Sequence, residues 1–111
     1  MDTTMLDWTE VCGLEDIPQA GSRVVHRASG HPVALFRASD DRVFALLDRC
    51  PHKGGPLSDG LVHGYAVTCP LHGWNIDLNN GHACAPDEGC ADTFPVRVEH
   101  GRVLLALKGV A

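Results

Sequence analysis

Cationic side chains are scarce in this chain of 111 residues: nine Lys+Arg stand against fourteen Asp+Glu, a formal net charge of −5 with the seven His neutral. A nucleic-acid binder needs a basic face to neutralise phosphates, and an anionic bilayer surface asks for the same, so the balance argues against both partners. Long apolar runs are missing too. The longest, 43–47 and 103–107, hold five residues each, against about 20 for a membrane span. The stretch from Met1 to Met5 has no basic n-region and no apolar h-region, so no secretory leader is expected and the cytoplasm is the expected compartment. No Ser-His-Asp order, no phosphate-cradling Gly-rich loop and no paired carboxylates in a catalytic context occur, so bond-making chemistry is not expected from this chain alone. Internal repeats and low-complexity tracts are absent as well. The length allows one domain, residues 1–111.

What is present is an ordinary apolar share, 44%, together with five Cys and seven His. A domain this small is often helped by a metal or by disulfides. An odd cysteine count and a reducing compartment argue against a disulfide framework, which leaves metal binding as the starting expectation.

Hydrophobic patterning predicts an all-β chain of short strands. Alternation marks a strand around Trp8–Cys12; residues 23–26 and 33–36 flank a turn at Ser29-Gly30-His31-Pro32. Asp40-Asp41 is a second turn, and Val43–Leu47 reads as a strand buried on both faces. From Asp48 to Gly60, Pro51, Gly54, Gly55, Pro56 and Gly60 predict a shaped loop instead of a ladder. Strands follow at 65–68 and 74–77, separated by a second loop, Cys69-Pro70-Leu71-His72-Gly73. Asn79-Asn80-Gly81 is a turn, residues 83–89 are irregular, and 95–99 and 102–107 form a hairpin closed by His100-Gly101.

The two loops hold Cys50-Pro51-His52 and Cys69-Pro70-Leu71-His72, with sixteen residues between His52 and Cys69. Each offers one thiolate and one imidazole. A structural zinc site is the plain reading, but a Cys and a His one residue apart make an awkward bite for a single tetrahedral ion. A blue-copper centre wants two His, one Cys and an axial Met, and only Met1 and Met5 exist, both at the N-terminus. The third reading is a two-iron cluster in which two His replace two Cys on one iron.

The pattern C-x-H-x16-C-x2-H, with Pro and Gly around both pairs, closely resembles the fingerprint of the Rieske [2Fe–2S] family. That resemblance implies one cluster per chain. Cys50 and Cys69 would bind one iron as thiolates, and His52 and His72 the outer iron as neutral imidazoles. With neutral imidazoles the oxidised core carries no net charge, whereas an all-thiolate core starts negative. This difference raises the potential to roughly −150 to +300 mV from about −400 mV. High-potential members carry a Ser and a Tyr where this chain has Trp74 and Ile76. They also carry a loop-clamping disulfide at the positions of Gly55 and Leu71, so a potential near or below the bottom of that window is expected.

Within the family, 50–60 and Pro86-Asp87-Glu88-Gly89-Cys90, with Phe94-Pro95-Val96 after it, resemble the small subunit of assimilatory NAD(P)H-dependent nitrite reductase. The resemblance runs from about Trp8 to Leu107. It implies an antiparallel β-sandwich with an inserted cluster-binding subdomain at approximately 48–80. It also implies a large sirohaem- and flavin-bearing partner subunit that reduces nitrite to ammonium in nitrate assimilation. The alternative is the free-standing Rieske ferredoxin of an aromatic ring-hydroxylating dioxygenase system. Lys53 would dock an acidic partner or be a solvated lysine, and Leu57 and Pro70 would shield the cluster or shape their loops. Trp74 would stack on a loop or pack in the core. His26, His31, His63, His82 and His100 are read as surface residues, and Cys12, Cys84 and Cys90 as reduced thiols.

Overall fold

The alternation of Val33–Phe36 divides one strand between two interiors. The computed structural model describes residues 8–27, 30–51, 55–70, 73–84 and 89–106, and forms ten strands. In β3 (Val33–Arg37), Val33 and Leu35 point into one apolar cluster and Ala34 and Phe36 into the other, and all four are fully buried. The same holds for β4 (Val43–Leu47): Val43 and Ala45 join the first cluster, while Leu46 joins the second and Phe44 packs against it. A strand covered on both sides needs apolar residues at every position, which is why these two runs lack the polar alternation of a surface strand. The expectation of a doubly buried strand at 43–47 therefore holds.

Among the described residues, two further antiparallel sheets flank this central layer. It has the order β2-β3-β4-β8, with β2 at Gly21–Val25 and β8 at Thr93–Phe94. On one side lies β1 (Trp8–Gly13), β10 (Arg102–Ala106) and β9 (Val96–Glu99), in the order β1-β10-β9. Cys12, Ile17, Val103 and Leu105 close the core between these two sheets. On the other side lies β5 (Leu61–His63), β6 (Ala66–Thr68) and β7 (Asn75–Asp77), contributing Val62, Val67 and Ile76. Each buried Leu, Ile, Val or Phe contributes about 1.5–3 kcal/mol relative to exposure, so both interiors are needed for a chain this short.

The predicted strands are recovered, with differences in the shortest elements. β5 follows Gly60 directly, between the predicted loop and the predicted strand at 65–68, and β8 is two residues long; neither is long enough to establish a period of two. Leu57–Asp59 forms a single 3₁₀ turn inside the first loop. The irregular stretch at 83–89 is partly paired: Ala83 bridges Ile76, and His82 bridges Cys90. These bridges extend the three-stranded sheet sideways, with Cys84 N–H donating to Asn75 O at 2.7 Å and Ala83 N–H to Gly89 O at 2.8 Å. The fold is an antiparallel β-sandwich carrying a smaller three-stranded sheet on one face, as expected.

Candidate metal centre

Cys50 lies three residues past the end of β4 and Cys69 one residue past β6, and both enter the same buried apolar cluster, at 1% and 2% exposure. The two loops close in the same way. Cys50 N–H donates to Gly55 O and Cys69 N–H to Trp74 O, each at 2.7 Å and each to the carbonyl five residues on. Such a closure fixes the thiol at the base of the loop, ahead of the residues that intervene in sequence. In sequence those intervening residues include His52 and His72, which lie outside the described residues, as do Lys53 and Leu71.

Side-chain and backbone bonds hold the first loop in place. The Asp48 carboxylate accepts from Ser58 N–H and from Ser58 Oγ–H, both at 2.7 Å. Asp48 N–H donates to Pro32 O at 2.9 Å, tying the loop to the β2–β3 connection. Ser22 Oγ–H on β2 donates to Ser58 O at 2.7 Å. Leu57, between these anchors, is fully buried beside both thiols. Of the two residues expected to shield the site, Leu57 is therefore in the apolar cluster, whereas Pro70 is exposed. Trp74 packs against the same cluster, as an ordinary core contact would.

The segment carrying Cys84 and Cys90 leans on both loops. A side chain built on Gly89 would sit close to Pro51 Cβ, at 3.2 Å, and in ordinary contact with the Trp74 ring, at 3.8 Å, on a backbone with φ +137° that side chains rarely adopt. Cys84 and Cys90 themselves are exposed thiols. His26, His31, His63, His82 and His100 are all exposed, in agreement with the surface reading. Cys12 sits on the far side of the molecule's central sheet, in the other core, where burial pushes its thiol above the ordinary cysteine range.

Among the described residues no three metal-ligating side chains come together. What they contain is the sulfur half of the predicted donor set. That half suits an iron–sulfur group: the interior around Cys50 and Cys69 has, among the described residues, no buried polar or charged side chain. Two anionic sulfurs in such surroundings are tolerable only with a cation bound to them. Gly55 stands where a clamping cysteine would be, and Ile76, fully buried, offers no hydroxyl to a nearby sulfur.

The Rieske [2Fe–2S] domain matches residues 7–95. The ferredoxin component of the naphthalene 1,2-dioxygenase/salicylate 5-hydroxylase systems of Ralstonia sp. is 32% identical over 103 residues, covering 92% of this chain and 97% of that protein. Among solved structures, a complex of reduced oxygenase and oxidised ferredoxin in carbazole 1,9a-dioxygenase superimposes with a TM-score of 0.80 at 30% identity, covering 89% of this chain and 92% of that one. A structure described as a putative NADH-dependent nitrite reductase small subunit from Mycobacterium tuberculosis gives a TM-score of 0.82 at 26% identity, covering 96% and 99%. Among the described residues no helix is long and apolar enough to cross a membrane. With two loop-borne, buried cysteines on a three-sheet β fold and a family match over most of its length, this chain belongs to the Rieske [2Fe–2S] family, and is an electron-transfer protein carrying one such cluster.

Proposed function

We propose that this protein is the free-standing ferredoxin of an aromatic ring-hydroxylating dioxygenase system, working in the cytoplasm between a reductase and an oxygenase. The observation that carries this reading is the end-to-end match at 32% identity with a ferredoxin component of that class, which covers 97% of the relative. When bound, the cluster supplies one-electron chemistry at a potential set by its ligands. The chain's own work is to hold and shield. Cys50 and Cys69 are the proposed thiolate ligands, and His52 and His72 the proposed imidazole ligands. The 48–80 segment is the proposed cluster-binding unit. Leu57, Val67 and Ile76 keep water from the sulfur side, and the backbone closures at Gly55 and Trp74 hold the loops without a disulfide clamp.

A second reading is the small subunit of an NAD(P)H-dependent nitrite reductase. It is favoured by the TM-score of 0.82 over 99% of a chain described in that way and by Pro86-Asp87-Glu88-Gly89-Cys90. In that case the partner is the large sirohaem and flavin subunit.

One experiment separates the two. The purified protein, with iron and acid-labile sulfide measured, is added either to a ring-hydroxylating oxygenase with its reductase or to the sirohaem large subunit, alongside a His72→Ala variant. Product formation by the oxygenase that requires the native chain and not the variant supports the ferredoxin. Nitrite reduction that requires the native chain and not the variant replaces it with the second reading.

A further inference from the structure

Most arginines whose surroundings are described are answered by carboxylates of the same chain. Arg37 pairs with Asp41 at 2.7 Å, Arg42 with Asp40 at 3.4 Å, Arg102 with Glu10 at 3.0 Å, and Arg97 with Glu99. Arg27 and Arg49 differ. Among the described residues neither meets a carboxylate, which is true of Arg23 as well, but these two are held against one histidine. Arg27 Nε–H donates to His31 O at 2.8 Å, and Arg49 Nη1–H to His31 Nε2 at 3.0 Å. A guanidinium only donates, so His31 Nε2 is the acceptor and its proton sits on Nδ1. Arg27 also lies over the Phe94 ring, 5.7 Å from its centroid. Two cations are thus brought to one spot and, among the described residues, most of their N–H donors are left for another molecule.

The position matters as much as the charge. Arg49 immediately precedes Cys50, and His31 belongs to the connection that Asp48 N–H grips at Pro32 O, 2.9 Å away. The patch is therefore tied through the backbone to the first loop. In a chain of net charge −5, a local cationic spot beside the loop orients an approaching partner instead of attracting it from afar.

We infer that Arg27, His31 and Arg49 form a docking surface for carboxylates on the acidic face of a redox partner. The preformed forks would take carboxylates in bidentate fashion, the geometry for which a guanidinium is suited. This rests on the electron-carrier reading, not on which of the two partner systems is correct.

The test uses the intact, cluster-loaded protein reduced with dithionite and reoxidised in a stopped-flow instrument by anionic ferricyanide or cationic hexaamminecobalt(III). At low salt the R27Q/R49Q variant is expected to react with ferricyanide about five-fold more slowly and with the cobalt complex faster, the differences vanishing at high salt. A variant with the same change in net charge on the opposite sheet, R97Q/R102Q, is the control. Equal slowing by both variants overturns the local patch. Protein that never yields a reduced spectrum overturns the carrier reading itself, a failure seen before any oxidant is added. As a readout independent of the cluster, the Nε–Hε NMR signals of Arg27 and Arg49 should shift saturably with a hexaglutamate peptide. If inorganic phosphate at equal ionic strength shifts them as strongly, the site is one for free anions and the docking surface is overturned.

Discussion

Asp48 grips Ser58, ten positions on, twice, taking its backbone N–H and its hydroxyl on the two carboxylate oxygens, and so closes the span that carries Cys50. Hydrogen bonds to a charged group contribute about 1.5–3 kcal/mol each when partly buried. Replacement by Ala is expected to cost roughly 2–4 kcal/mol in urea unfolding and to lower iron content. Asp59→Asn, at an exposed neighbouring site, should change neither. Full iron retention in Asp48→Ala would show that the bond does not position the loop.

The ligand proposal separates the cysteines into two sets. Cys50→Ser and Cys69→Ser should each abolish visible absorption and iron binding. Cys84→Ser and Cys90→Ser, at exposed positions, should retain both. Iron per chain, measured on all four purified variants, decides the matter.

Gly60 ends the first loop where the backbone passes close to β6. A Cβ there would lie 2.3 Å from Thr68 O and 3.0 Å from Leu57 O, and backbone atoms cannot swing aside. Gly60→Ala should destabilise by about 1–3 kcal/mol, the usual range for overpacking, read as a lower thermal midpoint. Because Thr68 precedes Cys69, the displacement should also loosen the cluster.

Tyr65, in the β5–β6 turn, donates its hydroxyl to Asp40 in the β3–β4 turn, a tie between two sheets. This bond holds the Asp40 carboxyl below its ordinary range and pushes the Tyr65 phenol above its own. The depressed carboxyl makes a contribution to stability that is present above the unfolded-state value of about 4. That contribution is lost as pH falls through the folded-state value. The raised phenol contributes below its unfolded-state value of about 10 and loses that as pH climbs through the folded-state value. Tyr65→Phe should therefore lower stability across the neutral range, where both contributions are present, and leave the acid and alkaline extremes little changed, flattening the stability–pH profile. An unchanged profile would mean the pair is not formed in solution.

Cys12 provides a further check. Burial is the main cause of its raised thiol range, with Asp16 acting in the same sense and Arg23 and Arg102 opposing. Since the thiolate is the reactive form, iodoacetamide at mildly alkaline pH should label Cys84 and Cys90 well before Cys12. Peptide mass spectrometry over time gives the order, and early labelling of Cys12 would mean that β1 opens readily.

The longer strands could be read in the linear pattern, because period-two alternation and turn residues report on local geometry. The spacing of Cys50, His52, Cys69 and His72 likewise carried the family, since few metal centres use that bite. The patterning of β5 and β8 was too short to register, and their pairing depends on what the neighbouring strands supply. The finer function shifted when whole chains were compared. Both kinds of relative span nearly the whole chain; the sequence relatives at 32% identity are ferredoxin components, whereas the structure described as a nitrite reductase small subunit stands at 26%.

By itself, then, the order of residues determined the β class and the cluster type, and it supplies the four proposed ligands, all of which follow from local spacing. Only the tertiary structure decided that Val33–Phe36 serves two cores at once, that Asp48 reaches Ser58, and that Arg27 and Arg49 converge on His31. Those relationships join residues far apart in the chain, and their energies exist only once three sheets have stacked and excluded water between them.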